Sequence, residues 1–205
     1  MAKKSQSDNF LKPRKAPRQK RSQNTMDVIL QATGELICAR GLDGFGTNQI
    51  ADRAGVSIGS LYQYFPDKEA ILACMIRDMR RQMLHDFSKA LDDTKDQSML
   101  AAIDELVTAA LRHHMRNPEL TRHLERAEDD LPLDHETQAL KLAMAELVAN
   151  LLRKHSIESP EDTAFDLIAL AHGLTHAATQ AGQSNFRNLR RRVMRAVIGY
   201  LENSM

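Results

Sequence analysis

This sequence has no long apolar run and no tryptophan, and aromatic residues make up only 4% of it. No stretch of about 18 or more apolar residues occurs, so a transmembrane helix is excluded and no membrane association is expected. The charged N-terminus lacks the apolar core of a secretory signal. The two cysteines, Cys38 and Cys74, have no metal-type spacing and indicate thiols in a reducing compartment. We therefore expect a cytoplasmic protein.

Positive charge is concentrated at one end of the chain, although the formal net charge is only +1. Residues 1–25 carry eight basic side chains against the single acid Asp8, so the remainder is mildly acidic overall. A basic arm on an acidic body is typical of a chain whose end meets a polyanion. A solvated tail explains the charges equally well. Residues 1–21 hold few apolar groups, so we predict a disordered basic arm there.

Helical spacing of apolar residues runs through the rest of the sequence, and no segment shows the alternation of a strand. Thr47 and Ser57 are predicted to cap two short helices, and the segment 159–162 is a strong start signal for a long one. We therefore predict an all-α fold, with a small domain of short helices over residues 22–67 and a larger helical domain over 68–205.

Gly55-Val56-Ser57 joins the two short helices, and this arrangement is the helix-turn-helix pattern. Gly55 permits the left-handed conformation that ends the first helix, and Ser57 caps the second. Gly59 and Ser60 keep the second helix thin enough to enter a major groove about 12 Å wide. Packing roles alone would leave this face of small residues and the basic arm unexplained.

Residues 55–59 also read G-x-S-x-G, the pattern of a serine hydrolase nucleophile, which would make Ser57 catalytic. That motif needs a β-strand immediately before it, whereas residues 48–54 are helical in pattern. The chain also lacks the parallel-sheet sequence of such an enzyme. We therefore predict that the protein is not an enzyme.

Residues 44–72, GFGTNQIADRAGVSIGSLYQYFPDKEAIL, resemble the DNA-binding region of the tetracycline-repressor (TetR) family of bacterial regulators. The resemblance implies a homodimer whose protomers each carry a three-helix helix-turn-helix domain and a C-terminal helical domain for ligand binding and dimerisation. Carried over by position, it implies DNA-facing side chains at Thr47, Ser57, Gly59, Ser60, Tyr62, Tyr64 and Lys68, the last three mainly on phosphates.

Base reading is predicted from side-chain chemistry rather than from the resemblance. The amides of Asn48, Gln49 and Gln63 can pair with adenine, and Ile58 can touch a thymine methyl group. These four residues complete the predicted DNA-binding set.

A ligand pocket is predicted in the larger domain, where methionine is frequent and lines adaptable cavities. Core filling explains any single methionine equally well, but the resemblance favours a pocket for an unknown apolar or amphipathic effector. Helical phase selects its lining as Met83, Leu106, Met115, Leu147 and Phe165.

His172 and His176 lie four residues apart on one predicted helix, a spacing that can bind a metal. No third ligand of clear spacing accompanies them, so interface or core histidines are favoured, and no metal or cofactor is predicted. The helices over about 160–181 and 186–202 resemble the dimer interface of the family.

The predicted function is therefore a sequence-specific transcriptional regulator, a repressor that a small molecule releases from a palindromic operator. A ligand-independent activator or an architectural DNA-binding factor is the alternative that the sequence leaves open.

Overall fold

The computed structural model describes residues 11–13 and 20–202, with side chains in the first helix described from residue 23. Every regular element in these residues is an α-helix, which confirms the predicted all-α fold. None of the described helices combines the length and apolarity needed to cross a membrane. The predicted basic arm, residues 1–21, lies largely outside the described residues.

Nine helices make up the described part of the chain. In order they are α1 (Lys20–Arg40), α2 (Thr47–Ala54), α3 (Ile58–Tyr64), α4 (Lys68–Asp93), α5 (Met99–Arg116), α6 (Pro118–Asp130), α7 (Asp134–Lys154), α8 (Pro160–Gln180) and α9 (Phe186–Glu202).

The chain forms two compact units that interleave along the sequence. The first unit falls within residues 1–78 and 119–133, and the second within 79–118 and 134–205. The first unit thus includes α6 besides the short helices, an addition that helical periodicity alone does not reveal. The predicted division into a domain over residues 22–67 and a domain over residues 68–205 stays a prediction.

The first unit is built on fully buried side chains from each of its short helices. Ile37 of α1, Ile50 of α2 and Leu61 of α3 are all inaccessible to solvent, as are Phe65 and Ile71 around the start of α4. Isolated helices shorter than about 12 residues are marginal in water, so α2 and α3 depend on this cluster for their stability.

The second unit packs the C-terminal part of α4 with α5, α7, α8 and α9 around one apolar cluster. Phe87, Leu152, Leu167 and Val193 are among its buried members. Arg153 of α7 donates hydrogen bonds to Glu161 of α8. Because this ion pair is exposed to solvent, we assign the packing of the unit to its apolar contacts.

Two glycines, one within α1 and one just after it, lead to opposite predictions about stability. A Cβ at Gly34 would lie 3.6 Å from the Leu120 side chain and 3.7 Å from that of Met75, which is ordinary contact. We expect Gly34→Ala to raise the free energy of unfolding by about 0.5–1 kcal/mol, because alanine restricts the unfolded chain and favours the helix.

Gly41, just after α1, has a φ of +69° and serves as the matched control. We expect Gly41→Ala to lower the free energy of unfolding by about 1–2 kcal/mol, because a Cβ disfavours this left-handed conformation. Urea denaturation of both variants measures the difference, and two changes of the same sign would contradict this account of α1.

Candidate nucleic-acid interface

The turn between α2 and α3 has the geometry that the sequence predicts. Gly55 adopts a φ of 67° and a ψ of 30°, and the N–H of Val56 donates to the carbonyl of Ala51 at 3.0 Å. Ser57 is the N-cap of α3, and its hydroxyl accepts a hydrogen bond from the N–H of Ser60 at 3.0 Å. The predicted roles of Gly55 and Ser57 in the turn are therefore confirmed.

The same geometry argues against Ser57 as a nucleophile. Helix α2 precedes the motif where an enzyme of this type needs a strand. The Ser57 hydroxyl is also engaged locally, by the Ser60 N–H and by the Ser60 hydroxyl at 2.8 Å.

Helix α3 divides cleanly into an inner and an outer face. Leu61 is fully buried, whereas Ile58 and Tyr62 are 37% and 40% exposed. Gly59 and Gln63 are exposed beside them, and Ser60 is half-buried at the margin. The structure thus brings most of the predicted DNA-facing residues of α3 onto one accessible surface, which we call the α3 outer face: Ile58, Gly59, Tyr62 and Gln63.

Gly59 has no structural reason inside the protein to be glycine. A Cβ built there would meet only the Ser57 hydroxyl, 4.0 Å away. Glycine within a helix costs about 1 kcal/mol relative to alanine. Neither packing nor a positive φ requires a glycine here, and its lack of a side chain leaves the α3 backbone open to close approach.

Thr47 and Tyr62 link the start of α2 to the α3 outer face. The Thr47 hydroxyl and the Tyr62 phenol lie 3.0 Å apart at the surface. The pair restrains the tyrosine ring and presents two hydroxyls beside the N-terminus of α2, a combination that suits contact with phosphate oxygens.

The predicted capping role of Thr47 is wrong. Gly46 is the N-cap of α2, with an extended backbone, and its N–H donates to the Gln49 side-chain oxygen at 3.0 Å. This bond fixes the exposed Gln49 amide at the helix start, and Asn48 beside it is exposed as well. Their base-reading roles stay predictions.

Tyr64 and Lys68 are not on the α3 outer face. Tyr64 is only 8% exposed. The Lys68 ammonium donates to the carbonyls of Leu42 at 2.9 Å and Phe45 at 3.3 Å and lies 5.1 Å from the centre of the Phe45 ring. The loop after α1 leaves these carbonyls for Lys68, so both side chains serve the fold, and their phosphate contacts stay a prediction.

An ion pair between Arg53 and Glu35 connects α2 to α1 at the surface. The Arg53 Nε donates to the Glu35 carboxylate at 2.6 Å. Hydrogen bonds from Arg53 and then from Gln31 lower the pKa of the Glu35 carboxyl. Because both partners are exposed, the pair contributes little stability.

The five residues predicted to line an effector pocket do not share one environment. Leu106 is buried in the core of the second unit, and Met83 and Leu147 pack partly buried against it. Met115 and Phe165, by contrast, are 55% and 68% exposed, so the five residues are not gathered in one buried place, and their role as a pocket lining stays a prediction. Helical phase groups residues on one face, but it does not say whether a neighbouring helix covers that face.

A groove of about 290 Å³ in the second unit includes Leu147 of the predicted five. Leu91, Ala102 and Leu151 also line it with apolar surface. Polar side chains surround these residues, among them Asp92, Asn150, Lys154 and His155.

The outer face of α8 is exposed along most of its length and is built mainly from small residues. Phe165 is its largest apolar side chain. The rest of this surface, which we call the α8 outer face, is formed by Ala169, His172, Gly173, His176 and Ala177.

Comparison with known proteins gives two family matches. The model described as bacterial regulatory proteins, tetR family, matches residues 29–75. The model described as tetracyclin repressor-like, C-terminal domain, matches residues 98–201. Together they cover both the helix-turn-helix and most of the second unit.

Two curated relatives are nucleoid occlusion factor SlmA of Aliivibrio fischeri and the HTH-type transcriptional regulator BetI of Vibrio vulnificus. SlmA is 33% identical over 103 residues, which are 50% of this chain and 52% of SlmA. BetI is 26% identical over 140 residues, or 60% of this chain and 71% of BetI. The chain thus spans about half the length of the SlmA proteins it matches.

Solved structures share the fold at low sequence identity. A TetR-family regulator from Mesorhizobium loti is 18% identical with a TM-score of 0.68, covering 90% of this chain and 98% of its own. A SmeT–triclosan complex is 19% identical with a TM-score of 0.64, covering 87% and 90%.

The carbonyl contacts of Lys68 generate a stability prediction. Lys68→Met keeps the aliphatic part of the side chain but removes the ammonium, so we expect the free energy of unfolding to fall by about 1.5–3 kcal/mol. Lys89→Met is the matched control, because Lys89 forms an exposed ion pair with Asp93 and should change stability by less than about 0.5 kcal/mol. Equal denaturation midpoints for the two variants would contradict the role given to Lys68.

Proposed function

The chain belongs to the TetR family of bacterial regulatory proteins, and from this premise we propose that it is a transcriptional repressor. As a homodimer it binds a palindromic operator through the α3 outer face, and a small-molecule effector releases it. The observation that carries the DNA-binding part is the exposed Gly59 beside the Thr47–Tyr62 pair.

DNA recognition on this proposal divides between backbone and base contacts. Thr47, Tyr62 and the first turn of α2 contact phosphates, which set the register of α3 on the duplex. Gly59 lets α3 approach the base edges closely. Ile58 and Gln63 then lie on the side of α3 that faces the groove, where a thymine methyl group and an adenine edge are suitable partners.

Dimerisation on this proposal uses the α8 outer face. A twofold interface is self-complementary, so small residues at its centre allow two copies of one helix to approach closely. Phe165 is more than two-thirds exposed in the single chain, and burial against a second copy would remove this apolar side chain from water. Each protomer then supplies one α3 to half-sites about 34–36 Å apart.

Effector binding on this proposal uses the groove that contains Leu147. Its apolar lining, with a polar surround that includes Asp92, Lys154 and His155, suits an amphipathic molecule. A solved structure of similar fold, the SmeT–triclosan complex, contains a small molecule, triclosan. Release requires that the effector bind the DNA-free conformation more tightly than the DNA-bound one.

The function is tested first by selecting bound DNA from a random pool with the full-length chain. We expect a palindromic sequence, because two equivalent α3 helices read two half-sites. Recovery of DNA without symmetry would contradict the dimeric repressor and favour an architectural role.

Substitutions at Gly59 test the recognition face on the selected DNA. We expect Gly59→Leu to weaken binding about tenfold or more, because its side chain blocks close approach of α3 to the bases, while the fold stays intact. Ala139→Leu adds bulk at an exposed position of α7 in the second unit and should bind as the parent does. Fluorescence anisotropy measures both affinities. If Gly59→Leu binds as tightly as the parent chain, the role given to Gly59 in DNA recognition is contradicted.

Filling the groove tests the effector site. Thermal shift against a metabolite panel first identifies stabilising compounds; we then expect Leu147→Trp to abolish both this stabilisation and operator release, because the indole occupies the groove. Leu142→Trp is the matched control, because Leu142 lies on the same helix but is 61% exposed and outside the groove. If no compound stabilises the parent chain, the ligand-independent alternative is favoured.

A further inference from the structure

We infer that His172 and His176 from two protomers form one shared transition-metal site on the twofold axis of the homodimer. This inference rests on the proposed dimer and adds to it a ligand, a divalent cation that prefers imidazole nitrogen. One chain supplies two of the ligands and its copy supplies the other two.

The two imidazoles already lie at a suitable separation in the single chain. Both side chains are exposed on α8, with ring centres 5.8 Å apart and ring planes inclined by 17°. A tetrahedral zinc ion bound at about 2.0–2.1 Å to two imidazoles holds the ring centres roughly 5 Å apart. Small side-chain rotations therefore suffice to bring one nitrogen of each ring onto a common ion.

Gly173 lies between the histidines and indicates where the second copy crosses. A Cβ at this position would meet nothing within 4 Å, so packing within the protomer does not require a glycine here. Glycine in a helix interior is costly, and its usual compensation is the close approach of another backbone. Ala169 and Ala177 lie one turn on either side of Gly173. These small residues form a low surface, from which no large side chain protrudes.

A twofold axis through this low surface brings the two histidine pairs together. Residues near the axis of an isologous interface meet their own copies, so His172 and His176 of one chain face those of the other. Four imidazoles then converge between two α8 helices, whose axes in packed pairs lie about 8–10 Å apart. That spacing accommodates a metal ion with its four ligands in place.

The donor set determines the class of ion. Four neutral nitrogen ligands suit Zn²⁺, Cu²⁺ or Ni²⁺ and offer little to Mg²⁺ or Ca²⁺, which prefer oxygen. Because the ion binds only when both chains are present, it stabilises the dimer and thereby raises operator affinity at low protein concentration. The site would thus make operator binding sensitive to the availability of the metal.

The experiment uses the untagged full-length chain, dialysed against a chelator and then titrated with ZnCl₂. We expect saturation at about one Zn²⁺ per two chains, and with CoCl₂ the visible absorption of tetrahedral Co²⁺. Zinc should lower the dimer dissociation constant in sedimentation equilibrium by about tenfold or more.

His176→Ala should lose the stoichiometric zinc, the cobalt spectrum and the zinc-dependent gain in dimerisation. His135→Ala is the matched control, because His135 is also exposed but lies at the start of α7, and it should behave as the parent chain does. A stoichiometry of one Zn²⁺ per chain, or full zinc binding by His176→Ala, would overturn the shared site.

Measurements in the chelator separate this inference from the proposed function. A chain that is dimeric and binds its palindrome there, yet takes up no zinc on titration, overturns the metal site alone. A chain that stays monomeric with and without zinc overturns both the shared site and the dimeric repressor.

Discussion

The helix-turn-helix depends on the burial of two helices that are too short to be stable alone. Helix α2 has eight residues and α3 has seven, and each is held by a fully buried side chain, Ile50 in α2 and Leu61 in α3. Lys68 supports the same cluster from outside, because its ammonium satisfies carbonyls that the preceding loop cannot pair within a helix. Recognition of DNA therefore depends on a small apolar core that holds α3 in place and leaves one side of it exposed to solvent.

This division of α3 into an inner and an outer face explains why its two tyrosines lie in different environments. Tyr62 follows Leu61 around the helix and emerges at the surface, where Thr47 restrains it. Tyr64 is two residues further along, which turns it inward, and it becomes part of the core. Residues two apart in a helix point in very different directions, so a motif that contains both tyrosines contains both a surface group and a packing group.

The sequence predicts the all-α fold, the turn at Gly55 and the cap at Ser57, because each depends on interactions between residues close in the chain. Prediction from the sequence fails where contacts between residues far apart in the chain determine the structure. Helical phase cannot tell that Phe165 is uncovered while Leu106 is buried, and no local pattern shows that Lys68 reaches back to Leu42 and Phe45. The error at Thr47 is different, since Gly46 and Thr47 are neighbours and the Gln49 side chain selects between them as the cap.

Two exposed helical glycines that nothing inside the protein requires support the two proposals, one in each unit. Gly55 has an internal reason, a positive φ that ends α2. Gly59 in α3 and Gly173 in α8 have none: each lies on an exposed helix face with no close neighbour for an added Cβ. A contact with a molecule outside the chain would compensate the cost of a glycine in each of these helices. On our proposals that molecule is a duplex beside the hydroxyls and amide of α3, and a second copy with its metal beside the small residues and imidazoles of α8.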